Sequence, residues 1–196
     1  MIRLLTILGL LVLAGCAAPN TLGPGPAEQS GFSLVLEREW SVVSAGEDEL
    51  VEFDQLTRNG LLLNRIILVK NLKDGESLVD LGFDQAPVFQ DWMGGNQLTD
   101  WLVASLEALD YRDVMIEAEP VEGLSKPITQ YVLAGWYNDD LPIKGYATAH
   151  YDGKGLDLII FLAPEEHYFT RLGAEVARMM GYAHLLDEGG FEMQQN

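Results

Sequence analysis

The chain has 196 residues, with 30 Asp or Glu against 12 Lys or Arg, and a formal net charge of −18 at pH 7. Such a charge repels nucleic-acid phosphates and anionic lipid headgroups, which argues against a nucleic-acid partner and against a body held to a membrane by a basic patch. A charge of this size ordinarily serves solubility. The functional alternative is that it attracts a cationic ligand, a basic partner or divalent ions. The only cysteine is Cys16, which excludes a disulfide framework, a thiolate zinc site and a Cys-His nucleophile in the folded part.

The first fifteen residues have the pattern of an export signal. Arg3 precedes an apolar run over residues 4–15 in which only Thr6 is polar. This run is well short of the roughly 20 residues that a membrane-spanning helix needs. Small residues come before the candidate cleavage point between Gly15 and Cys16. The sequence therefore predicts a signal peptide over residues 1–15.

The four residues Leu13-Ala14-Gly15-Cys16 resemble the lipobox of bacterial lipoproteins. In that family the cysteine sulfur is lipidated, the signal is cut just before it, and the new amino terminus is usually acylated. The resemblance implies acyl chains such as palmitate on Cys16, and two or more chains, at about 0.8 kcal/mol per buried methylene, hold a protein durably on a membrane. An ordinary signal peptide with an incidental cysteine, or an uncleaved short anchor, is the alternative interpretation.

Residues 16–31 are predicted to form a flexible tether, because proline, glycine and small polar residues dominate there. In the lipoprotein family the residues after the cysteine influence sorting, and Ala17 and Ala18 lack the aspartate that typically retains such proteins at the inner membrane. The resemblance thus implies an outer-membrane lipoprotein facing the periplasm, with the inner membrane less favoured. Loss of residues 1–15 removes Arg3 as its only charged residue and takes the net charge from −18 to −19.

Residues 32–186 are predicted to form one domain, followed by a disordered tail over residues 187–196. In the first half, alternating apolar and polar residues predict strands over residues 32–36, 40–42 and 51–53, and an apolar run predicts a central strand over 61–69. Asn96 is a candidate N-cap, and apolar residues from Leu98 to Leu109 follow at helical spacing. The first half therefore reads as strands followed by an amphipathic helix.

The second half reads as strands and then a helix. One strand is predicted around residues 114–118, and a three-strand meander over residues 128–136, 143–151 and 156–163. Pro164 is a candidate first helical residue with Glu165 and Glu166 in the first turn, and Phe169, Leu172, Val176, Met179 and Met180 continue the apolar spacing. The expected fold is α+β, with two helices covering one antiparallel sheet.

Over residues 96–183 this order also resembles the PsbP-like or Mog1-like α/β sandwich of small secreted and lipid-anchored proteins. The resemblance rests on the meander, the Ala163-Pro164-Glu165 junction and the terminal helix. It implies a fold of binding proteins and accessory factors rather than a catalytic site.

No catalytic motif is present, and no metal or cofactor is predicted. His150, His167 and His184 lack the spacing of a helical metal motif. The carboxylate pairs Asp139-Asp140 and Glu165-Glu166 fit a turn and a helix start. Asp152-Gly153-Lys154-Gly155 carries a lysine where a calcium loop needs a ligand.

Aromatic residues give the remaining functional hint. Four of them are candidates for an apolar pocket or an interface, with the core of the domain as the competing assignment: Trp92, Trp101, Trp136 and Tyr137.

Three hypotheses follow. The first is a non-enzymatic lipoprotein that faces the periplasm, is held to the membrane through Cys16 and acts as a binding or accessory factor for an envelope protein. The second is an envelope hydrolase whose dispersed His, Asp and Glu residues converge in the fold. The third is a carrier of a small apolar ligand.

Overall fold

The computed structural model describes residues 20–47, 50–81, 85–121, 128–138 and 140–186. The strands are β1 (Thr21–Leu22), β2 (Gly25–Gln29), β3 (Phe32–Leu36), β4 (Trp40–Val43), β5 (Gln55–Thr57), β6 (Arg65–Leu72), β7 (Tyr111–Val121), β8 (Ile128–Tyr137), β9 (Leu141–Tyr151) and β10 (Leu156–Pro164). Eight of them form an antiparallel sheet with the strand order β1-β4-β5-β6-β10-β9-β8-β7, and β2 and β3 form a two-stranded hairpin beside it. The helices are α1 (Gly95–Glu107) and α2 (Thr170–Leu186), and a π-helical turn (Glu165–Phe169) precedes α2. The α+β prediction is confirmed.

The sheet has an apolar cluster on each face. In β6, Ile67 and Val69 belong to one cluster, while Ile66 and Leu68 belong to the other. The first cluster is closed by Trp101, Leu102 and Leu106 of α1, and the second by Leu172, Val176, Met179 and Met180 of α2 and by the inward side chains of β3. The two helices therefore cover opposite faces of the sheet, each through its apolar stripe.

The meander of β8, β9 and β10 forms where the sequence predicts it. Burial in β9 alternates over residues 143–147 and is continuous over residues 148–150. Asp152 closes the turn to β10 by accepting hydrogen bonds from the backbone N–H groups of Lys154 and Gly155 at 2.8 and 3.1 Å. Gly145 allows close packing inside this meander, since a Cβ there would collide with the carbonyl oxygen of Phe161. Strand pairing and the turn thus specify the register that places Tyr151 opposite Leu156.

The predicted tether is too long at its carboxyl end. Residues that it was expected to include form β1, which pairs with β4, and β2, which pairs with β3 along its whole length. Leu22 and Ala27 pack against the second apolar cluster. Backbone pairing and these two contacts order a segment whose own composition is too polar to do so, and the ordered structure begins by Asn20 rather than at Phe32.

Three predicted boundaries also change. The strand predicted from residue 61 begins at Arg65, because the N–H groups of Leu63 and Asn64 bond to the Gly60 carbonyl oxygen and form a turn. The N-cap of α1 is Gly94 and not Asn96, with no side-chain capping bond. Pro164 ends β10 instead of starting a helix, and α2 begins at Thr170.

Candidate binding surfaces

Two gaps next to the sheet are almost filled by side chains, and α1 borders only the second of them. Tyr137, Tyr111 and Arg65 border one gap that has about 0 Å³ of free volume, and Leu106 and Val114 border another of about 10 Å³. A single water needs at least about 10–15 Å³. A wider concavity of about 460 Å³ lies open to solvent at the turn over residues 28–33. The two interior gaps are therefore too small for an organic ligand.

Two of the four predicted aromatic residues belong to this packed interior. Trp101 is 4% exposed, contacts Phe89 edge-on at 5.9 Å between ring centroids, and donates its Nε1–H to the Pro87 carbonyl oxygen at 3.1 Å. Tyr137 packs on Tyr111 at 5.3 Å. Their contacts are those of core residues, so the structure does not bring all four aromatic residues into one pocket.

Trp92 has the opposite environment, with 67% of its surface exposed. It is the third residue of a turn closed by the bond from Met93 N–H to the Gln90 carbonyl oxygen. On one side of it, Asp91 N–H donates to Oδ1 of Asp74 at 3.0 Å, and on the other side the Met93 side chain packs against the first apolar cluster. The backbone on both sides of the indole is thus held in place while the indole faces solvent.

Two more exposed side chains adjoin Phe89 and extend this area, which we call the Trp92 surface: Val88, Trp92 and Tyr151. Val88 is 44% exposed and pairs with Ser77 in an isolated β-bridge. Tyr151, at the end of β9, is 39% exposed, and its ring lies 6.1 Å from that of Phe89. Phe89 is buried and its ring lies beside that of Tyr151, so this part of the surface rests on the core of the domain.

Trp136 lies elsewhere, on the face of the sheet that α2 covers only in part. Its strand partners are Arg112 and Pro142, and the side chain is 42% exposed. Met115, opposite Ala134, is 67% exposed on the neighbouring edge strand. The open face of β7 and β8 is therefore a second apolar area, separated from the Trp92 surface by the sheet.

The histidines have separate surroundings. His167 is exposed, with its Nε2 3.2 Å from Nη1 of Arg171 and its ring against Tyr168. His150 is 8% exposed and lies directly opposite Asp157 in the register of β9 and β10. Asp157 in turn accepts from Lys70 Nζ and from the backbone N–H of Asn71, both at 2.9 Å. The side chain of His184 lies outside the described residues.

The row of His150, Asp157 and Lys70 was not predicted, although the hairpin register implied by the turn at residues 152–155 could have revealed it. Lys70 Nζ lies 4.8 Å from the centroid of the Phe32 ring, which covers this end of the row. Because Asp157 bonds to an ammonium and to a backbone amide, and because Lys70 and Asp157 are only partly buried, the row has the contacts of a structural polar cluster.

Other charged groups have structural partners. Glu165 pairs with Lys144 at 2.6 Å, and the buried carboxylate of Glu175 lies 3.3 Å from Nε of Arg38. Among the described residues, no group of three or more His, Cys, Asp or Glu side chains could hold a metal ion. No helix of the described part is long and apolar enough to cross a membrane.

Gly15, Cys16 and the tail over residues 187–196 lie outside the described residues. No protein-family model matches the chain, and no curated protein matches it.

Proposed function

We propose that this protein is a lipid-anchored cell-envelope protein, without catalytic activity, that binds another envelope protein through the Trp92 surface. The anchor is expected at Cys16 because of its lipobox, and Ala17 and Ala18 favour the outer membrane, facing the periplasm. The observation that carries the binding role is the exposed indole of Trp92 on a fixed turn above a filled core.

An exposed indole leaves a large apolar area in water, and tryptophan is among the side chains that contribute most to protein interfaces. Because the turn is already held by the Asp74 and Met93 contacts, little backbone entropy is lost on binding. The two interior gaps, at about 0 and 10 Å³, give no support to the alternative of an apolar-ligand carrier.

The finer fold assignment, a PsbP-like or Mog1-like sandwich, is part of the proposal. It is supported by the meander that leads through Pro164 into a terminal helix and by one helix on each face of the sheet. An experimental structure should superpose on that family over residues 96–183 with the same strand order. A different strand order in the family would remove this part of the proposal.

The binding role is tested by placing a photo-reactive phenylalanine analogue at position 92 in living cells. Irradiation should give a cross-linked adduct of defined mass from position 92. The matched control is Tyr182 on α2, which is 49% exposed and lies on the other side of the sheet. No adduct from position 92, or the same adduct from both positions, would contradict the proposal.

The hydrolase remains a second candidate because His150 faces Asp157. It predicts turnover of an ester, glycoside or phosphate reporter that disappears in His150→Gln. Absence of turnover by the native protein across such reporters would remove this candidate.

A further inference from the structure

The Trp92 surface has a rim of negative charge. Asp74, Glu76 and Asp91 are exposed and lie on the two segments that frame Phe89. Their proximity follows from backbone bonds: Gly75 N–H donates to the Phe89 carbonyl oxygen and Phe89 N–H donates to the Glu76 carbonyl oxygen, each at 2.8 Å. Asp152 is also exposed and directly follows Tyr151, whose ring contacts that of Phe89, and it adds a fourth carboxylate.

Three of these carboxylates lack a cationic partner among the described residues, whereas Asp152 lies within the electrostatic influence of Lys154. In the described ranges, Asp74, Glu76 and Asp91 form no ion pair with Lys or Arg. Lys73 gives its backbone N–H to Oε2 of Glu76 at 2.7 Å, but its ammonium points away and donates to the Lys154 carbonyl oxygen at 2.9 Å. The backbone N–H of Lys154, followed by that of Gly155, lowers the pKa of Asp152 below 3.8, so its carboxylate is charged at neutral pH.

We propose that the occupant of the Trp92 surface is an extended protein segment in which arginine alternates with apolar residues. A guanidinium can stack on the indole face of Trp92 while its N–H groups bond to the carboxylates of Asp91 and Asp74. An apolar neighbour in the same segment covers Val88 or Tyr151. This assignment rests on the proposed function and adds the chemistry of the partner.

Charge decides against the other occupants. A second copy of the chain would bring another net charge of −18 against the same acidic rim, and like charges placed together at an interface cost several kcal/mol. Anionic lipid headgroups are repelled in the same way. A cationic segment is attracted both by the rim and by the long-range field of the whole molecule.

The test uses the chain purified from membranes in detergent and two synthetic peptides. The probe is acetyl-Gly-Leu-Arg-Leu-Arg-Leu-Gly-amide, and its match carries citrulline, the neutral isostere, in place of both arginines. Binding is followed at 0.15 M salt by the NMR shift of the Trp92 indole N–H, with calorimetry for the variants. The arginine peptide should bind about tenfold more tightly than the citrulline peptide.

Three variants assign that binding to the Trp92 surface. Trp92→Ala should weaken arginine-peptide binding about tenfold, and Asp91→Asn about threefold, whereas Trp136→Ala, the matched exposed tryptophan, should leave it unchanged. Equal binding of the two peptides, equal effects of the two tryptophan variants, or no binding of either peptide would overturn the assignment. If cross-linking from position 92 succeeds but the arginine and citrulline peptides bind equally, only the proposed recognition of arginine is contradicted. If no cross-linked adduct forms, the proposed binding role itself is contradicted.

Discussion

At the scale of single residues, Trp92 and Trp101 lie on either side of the start of α1 and have opposite environments. Trp92 is 67% exposed, and Trp101 is 4% exposed with its indole N–H bonded to the Pro87 carbonyl oxygen. A side chain that carries binding and one that carries stability should respond differently to truncation.

Trp101→Ala is therefore expected to lower the free energy of unfolding by about 3–5 kcal/mol, because it leaves a cavity and removes one of the two hydrogen bonds that the Pro87 carbonyl oxygen accepts, the other coming from Ser77 Oγ. Trp92→Ala should change it by less than about 0.5 kcal/mol. Urea denaturation followed by circular dichroism measures both. A loss at position 92 as large as that at position 101 would show that Trp92 is part of the core.

Gly145 and Gly181 form a second contrast at this scale. Gly145→Ala places a Cβ against the Phe161 carbonyl oxygen inside the sheet, so a loss of about 2–3 kcal/mol is expected. Gly181 lies on the exposed side of α2 with nothing within 4 Å, and Gly181→Ala should stabilise the protein by up to about 1 kcal/mol. Thermal melts of the two variants give the signs, and a stabilising Gly145→Ala would contradict the packing of β9 against β10.

At the scale of elements, one carboxylate adds a polar attachment to the apolar contacts that hold the hairpin of β2 and β3. Asp54 accepts hydrogen bonds from Gln29 Nε2 at 2.7 Å, Ser30 Oγ at 2.6 Å and Ala45 N–H at 2.8 Å. Partial burial acts to raise the pKa of Asp54, but the bonds from Ser30, Ala45 and Gln29 outweigh it and hold the pKa below 3.8.

This depressed pKa makes the attachment pH-dependent. Because the unfolded-state pKa is higher, the contribution to stability is complete above about pH 4 and is lost as the pH falls through the folded-state pKa. Asp54→Asn should cost about 1 kcal/mol at pH 7, after allowance for the partial exposure of the site, and this difference from wild type should shrink in acid, at a pH below 3.8. Urea titrations at both pH values measure it, with Asp100→Asn on the exposed side of α1 as control; a difference that grows in acid would contradict the account.

The elements also differ in how far the sequence predicts them. Strands β8 to β10 and helix α2 follow from period-two and helical apolar patterns with clear turn residues between them. Strands β1 and β2 do not, because they are ordered by pairing with β4 and β3 and not by their own apolar content. Residues 76–93 show neither period-two nor helical spacing of apolar residues. In the structure, Val79 forms a β-bridge with Val51, and Ser77 forms one with Val88.

For the candidate site, the sequence predicts the aromatic residues but not which of them are exposed. The sequence singles out Trp92, Trp101, Trp136 and Tyr137 as large aromatic residues. Their burial depends on which face of the sheet each strand or turn presents, so the two core residues could not be separated from the two exposed ones. The carboxylates around Trp92 come together through backbone bonds between residues 75, 76 and 89, which no local pattern shows.

At the scale of the whole molecule, the proposed function combines a lipid anchor at Cys16 with a binding domain. The ordered chain begins by Asn20, so the predicted link between Cys16 and the sheet is only a few residues long. A tether of that length would keep the domain close to the membrane, while the net charge of −19 that remains after loss of residues 1–15 would keep its surface from lying on anionic lipid. The position of the domain at the membrane therefore follows from lipid attachment at Cys16.

The most direct measurement is therefore the intact mass of the protein extracted from cell membranes, with Cys16→Ser as the matched control. The account predicts a chain that begins at Cys16 and carries the mass of a sulfur-linked diacylglycerol with an amide-linked acyl chain, and a control that is unprocessed or released from the membrane. A membrane-bound chain with an unmodified Cys16, or the same mass and fractionation in Cys16→Ser apart from the substitution itself, would contradict it.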